Sequence, residues 1–73
     1  MLTGVFQGDL AVALEWAGAF CRVSSTGRAR RAAELAARDE AGAVALTRSA
    51  AALLGTAEDL EGAARLWRAG ELT

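Results

Sequence analysis

The chain has 73 residues, 53% of them hydrophobic, with no proline, histidine or tyrosine, one cysteine and a formal net charge of −1. A single cysteine excludes an intrachain disulfide, and without histidine no ordinary structural zinc cluster can form. The slightly acidic balance excludes a uniformly basic surface that coats nucleic acid.

All eight basic residues are arginines. With lysine, histidine and tyrosine missing, the usual general bases, Schiff-base nucleophile and phenolic acid are absent, so no enzymatic activity is expected. Asp39-Glu40 and Glu58-Asp59 are adjacent acids, but neighbours in a helix point apart and are ordinarily solvated. Neither a phosphate-binding glycine loop nor a metal-ligand spacing is present, so no cofactor and no metal are expected.

Alanine, leucine, glutamate and arginine dominate and strand-favouring residues are few, which predicts an all-α fold. A chain this short is one domain, residues 1–73, whose single core is marginal unless a partner or a second copy contributes to it. Met1–Asp9 lacks the positive segment that opens a secretory signal. The apolar stretch Leu10–Val23 carries Glu15 and Arg22 and falls short of the roughly 20 apolar residues that span a bilayer. A soluble, cytoplasmic protein with no membrane contact is the expectation.

Residues Met1–Gly8 contain two glycines and no sustained period and read as a lead-in, with Val5 and Phe6 packing on the first helix. Asp9 is the predicted N-cap of that helix, about residues 10–23. Leu10, Ala13, Leu14, Ala17, Phe20 and Cys21 lie on one side and Val12, Trp16, Ala19 and Val23 on an adjoining one. Only the strip through Gly8, Ala11, Glu15, Gly18 and Arg22 is polar or small, so the helix should be covered on most sides.

Ser24-Ser25-Thr26-Gly27 reads as a turn. A second helix follows over about 27–54, the longest of three, with Arg30, Glu34 and Arg38 at four-residue spacing and Gly42 as its weak interior point. Gly55-Thr56 reads as its stop, with acids in the first turn of a third helix over about 57–69 that ends at Gly70. The expected architecture is therefore a small three-helix bundle. A ladder of alanines, Ala29, Ala36, Ala43, Ala50, Ala57 and Ala64, recurs every seventh residue, and Leu46, Leu53, Leu60 and Trp67 follow the last four at a spacing of three. Such rows mark a seam where two helices approach closely.

Trp16, Phe20, Leu46, Leu53, Leu60 and Trp67 are the candidate anchors of a core or of an interface; an exposed tryptophan would mark the latter. Cys21 reads as a buried, inert thiol. From Arg22 to Arg38 there are five arginines and one acid; from Asp39 onward there are six acids and three arginines. Ser25, Thr26, Arg28, Arg30 and Arg31, placed at a helix start, would combine hydroxyls, free amides and guanidinium groups into an anion-binding site, with an acidic protein surface as the favoured partner and phosphates less so. Leu60–Thr73 resembles, over 14 residues, the opening of the short helical modules called SHOCT domains.

These readings point to a non-catalytic protein–protein interaction module, a small inhibitor, adaptor or assembly factor. Phage-encoded inhibitors of bacterial defence, such as anti-CRISPR proteins, belong to that class. The alternatives are a helix-turn-helix-like DNA-binding regulator and an obligate homodimer with a structural role.

Overall fold

The structure, a computed structural model, describes residues 2–71, with side chains from Leu10 to Glu71. The described residues form two helices, α1 (Leu2–Leu35) and α2 (Glu40–Arg68), folded against each other as an antiparallel hairpin. The all-α expectation holds; the three-helix bundle does not. Both predicted stops lie inside helices, and the chain turns at 36–39 instead.

Local interactions explain each departure. At Ser24–Gly27 the turn-favouring hydroxyl of Ser25 does not bond its own loop: it donates to the Ala50 carbonyl of α2 at 2.7 Å, which ties the segment into the hairpin as helix. At Gly55-Thr56 the threonine hydroxyl donates back one turn to the Ala52 carbonyl at 3.1 Å, a bond that belongs to a helix interior. Among the described glycines only Gly70 has positive φ, so Gly55 is not a left-handed cap. The N-terminal lead-in is helical from Leu2, which places Asp9 within α1 and not at its N-cap. The expected packing of Val5 and Phe6 and the last two residues of the tail lie outside the described residues.

The turn is built without glycine or proline. The Leu35 carbonyl accepts from the amides of both Arg38 (3.0 Å) and Asp39 (2.7 Å), which closes the last turn of α1. Asp39 then caps α2, its carboxylate accepting from the Gly42 amide at 2.9 Å, with Glu40 at the positive end of the dipole. Gly42 is the third residue of α2 and not an interior defect: a methyl group there would collide with the Asp39 carboxylate.

The two helices meet along small residues. On α2 the buried row is Ala43, Ala50, Ala57 and Ala64, four members of the alanine ladder; on α1 it is Ala11, Gly18, Ser25 and Ala32, also seven apart. Gly18 lies against Ala57 and Ser25 against Ala50, contacts that belong to a single antiparallel register. The backbones come so close at Gly18 that an added Cβ would sit 3.3 Å from the Ala57 carbonyl oxygen. Leu46, Leu53, Leu60 and Trp67 flank the row half-buried, as do Leu14, Cys21 and Leu35 on α1.

The face assignment on α1 thus departs from the expected one. The strip of small residues through Ala11 and Gly18 faces α2, with Leu14 and Cys21 beside it, whereas Val12, Trp16, Phe20 and Val23 face outward. Close approach selects for small volume at the contact line, so in this hairpin size, not hydropathy, determines which side is buried. Ala29 and Ala36 of the ladder are exposed, since the turn at 36–39 breaks the seven-residue register between the helices.

The result is a rod of 54 × 20 × 12 Å with a radius of gyration of 16.2 Å. A compact chain of this length would have about 11 Å. Every fully buried apolar residue among those described is an alanine. Two helices alone cannot enclose large side chains.

Candidate functional site

The feature that this packing creates is the outer face of α1. Because α2 covers only the small-residue side, Trp16, Phe20 and Val23 stand 76%, 71% and 72% exposed, with Val12 beside them at 43%. Their spacing of four, four and three residues places them on one stripe, with Ala19 between Trp16 and Phe20. Glu15, Trp16, Ala19, Phe20 and Val23 line an open groove of about 470 Å³. Immediately beyond it, Arg22, Val23, Thr26, Gly27 and Arg30 line a smaller one of about 340 Å³.

The charges beside the stripe are engaged within the hairpin. Arg22 donates through Nε and Nη2 to both carboxylate oxygens of Glu61, at 2.6 and 2.7 Å. Arg68 grips Glu15 in the same forked way, with Nη2 at 2.9 Å from Oε1. These bonds hold the Glu61 and Glu15 carboxyls below their ordinary range and raise the two guanidinium groups, because in each case the partner's hydrogen bond favours the charged form. Of the charged residues that line the two grooves, Glu15 and Arg22 are held in these pairs, and Arg30 lies at the far end.

The anticipated anion cluster is dispersed by the helix that replaces the turn. Ser24–Arg31 lies in the interior of α1, so its amides are not the free amides of a helix start. Ser25 is buried in the seam, whereas Thr26 is exposed. The Arg28 guanidinium donates to the Ser49 hydroxyl across the hairpin, and Arg31 sits 3.9 Å from Glu34 on its own helix. Arg30 is exposed on the outer side, in the smaller groove.

Of the six anchors, Leu46, Leu53, Leu60 and Trp67 flank the hairpin core; Trp16 and Phe20 do not join it and stand on the open surface. Cys21 is half-buried beside the seam. A third groove of about 580 Å³ opens near the turn, where Ala29, Ala33 and Ala36 are too small to fill the space beside Val44 and Thr47.

No known protein family, curated protein or solved structure matches the chain.

Among the described residues no three His, Cys, Asp or Glu side chains converge as a metal-binding group, and no helix is long and apolar enough to cross a membrane. Sequence reasoning missed the α1 half of the seam, Ala11, Gly18, Ser25 and Ala32. Its signal was available: four small residues at the same seven-residue spacing as the alanine ladder. The two cross-hairpin ion pairs also went unnoticed, since their partners are 39 and 53 residues apart.

Proposed function

We propose that this chain is a non-catalytic protein–protein interaction module, a small inhibitor, adaptor or assembly factor, that engages other protein surface through the outer face of α1. The observation that carries the reading is the exposed stripe of Trp16, Phe20 and Val23. Tryptophan and its apolar neighbours recur at the centres of interfaces because a partner gains most by covering them. Three large side chains more than two-thirds exposed on one stripe also exceed the scattered apolar residues of an ordinary surface. Arg30 and Arg31, at the turn end of the same helix, supply positive charge toward an acidic protein surface.

The test is affinity capture from the native host with three baits: wild type, Trp16→Glu with Phe20→Glu, and Arg28, Arg30 and Arg31 reversed to Glu. A protein retained by wild type and lost with the stripe variant supports the reading. Retention of the same proteins by all three baits at unchanged affinity would remove it.

A further inference from the structure

We infer that the occupant of the α1 outer face is a second copy of this chain, docked antiparallel so that two hairpins form a four-helix assembly. The inference rests on the interaction reading above and names the partner for its apolar stripe.

Surface area supplies the first argument. The hairpin exposes 5246 Å². A compact monomer of its 7.5 kDa mass would expose about 4,200 Å². The excess, about 1,000 Å², is comparable with the about 800 Å² that one protomer contributes to a standard interface. Among the described residues the buried apolar side chains are all alanines, so large side chains find no core within the hairpin, and one is available where two α1 faces meet.

The order of large and small residues along the stripe supplies the second. An isologous contact requires the stripe to be complementary to itself when reversed. Place the two-fold axis between Ala19 and Phe20, and Phe20 lies against Ala19 of the second copy, Trp16 against its Val23, and Val12 against its Gly27. In each pair a larger side chain meets a smaller one, as interdigitation needs. An added Cβ at Gly27 meets nothing within 4 Å, so in the hairpin this outward position is open space that a neighbour's side chain can enter.

Charge supplies the third. Glu15 and Arg22, which border the stripe, are already paired to Arg68 and Glu61, so docking buries no unpaired ion at the rim. A lipid surface is the poorer match: the net charge is −1, Arg22, the basic residue that borders the stripe, is engaged by Glu61, and the remaining arginines of α1 lie beyond the stripe toward the turn. Dimerisation through this face carries the Arg30–Arg31 segments to opposite ends of the contact, where they stay available to an acidic protein.

The test is sedimentation equilibrium from about 1 to 100 µM on wild type and on Phe20→Glu. The expected wild-type mass is twice 7.5 kDa. The carboxylate should weaken self-association at least about a hundredfold while helical circular dichroism persists, since Phe20 is exposed in the single hairpin. Register is checked in a fold-preserving background, Cys21→Ala carrying Val12→Cys and Gly27→Cys. The two new thiols sit 15 residues apart on one helix, about 22 Å, and cannot bridge within a chain. Mild oxidation should yield covalent dimers. A wild-type chain monomeric at 100 µM overturns the proposal; if the stripe variant then still loses a captured host protein, the interaction reading stands without it. A dimer that neither dissociates on Phe20→Glu nor cross-links through positions 12 and 27 overturns it as well.

Discussion

Replacing Gly55 by alanine distinguishes the hairpin from any fold in which the chain turns at that point. Gly55 is helical and an added Cβ meets no heavy atom within 4 Å, so the substitution adds neither strain nor contact. What remains is the intrinsic difference between the two residues in a helix, about 1 kcal/mol in favour of alanine. For a chain of this length that corresponds to a rise in Tm of about 4–8 °C. In the single hairpin Gly27 is open in the same way, so in the Phe20→Glu background it should give a second, similar increment. In the hairpin register the two glycines lie about 10 Å apart along the rod, so the double variant in that background should show nearly additive stabilisation. Gly70 serves as the opposite control: its φ of 76° is one that a Cβ disfavours, and alanine there should cost about 1 kcal/mol. Thermal melts followed by circular dichroism at 222 nm read all four variants. A Gly55→Ala chain that melts below wild type would refute the reasoning, because a glycine serving as a left-handed cap is the condition under which alanine is harmful.

Ala57 has no exposed surface and lies at the line of closest approach, so Ala57→Leu should destabilise the hairpin by about 1–3 kcal/mol in urea titrations, whereas Ala52→Leu on the exposed side should change little. Asp39→Ala removes the acceptor for the Gly42 amide and should cost about 1 kcal/mol; Gly42→Ala should fail to stabilise despite its better propensity, since its methyl displaces that same carboxylate. The Glu15 and Glu61 carboxyls are held below 4.5, so their pairs support the fold above about pH 4.5 and are lost as the pH falls through the lowered values. Melting temperatures should therefore drop on acidification, and a chain with Glu15→Gln and Glu61→Gln should show a shallower drop.

The helical class was legible in the sequence because it is a summed property: no proline, abundant alanine and leucine, and few β-branched residues. The α2 seam was legible for the same kind of reason, since Ala43, Ala50, Ala57 and Ala64 repeat often enough to survive local noise. The turn was not. It lacks the glycine or proline that usually punctuates a chain, and Ala36-Ala37-Arg38 are ordinary helix formers; only the step from Arg38 to Asp39-Glu40, positive beyond one helix end and negative at the next start, marks the place. Conversely, Ser24–Gly27 and Gly55-Thr56 carry turn-favouring residues whose preferences are outweighed, at Ser25 by a cross-helix hydrogen bond and at Thr56 by a bond within the helix. The stripe of Trp16, Phe20 and Val23 could be seen as apolar, but its exposure follows from the number of helices available to cover it, which local patterns do not report.

A seam of small residues every seven positions carries an ambiguity: α2 could slide along α1 by two turns and still set small residues against small ones. The two cross-hairpin ion pairs remove that freedom. Slide α2 one way by seven residues and Glu15 faces Glu61; slide it the other way and Arg22 faces Arg68. Exposed ion pairs add little to the depth of the correct alignment. Here they act on the alternatives, since each displaced alignment brings like charges together across the rod. The alanines let the helices approach, and four charged side chains specify the register at which they stop.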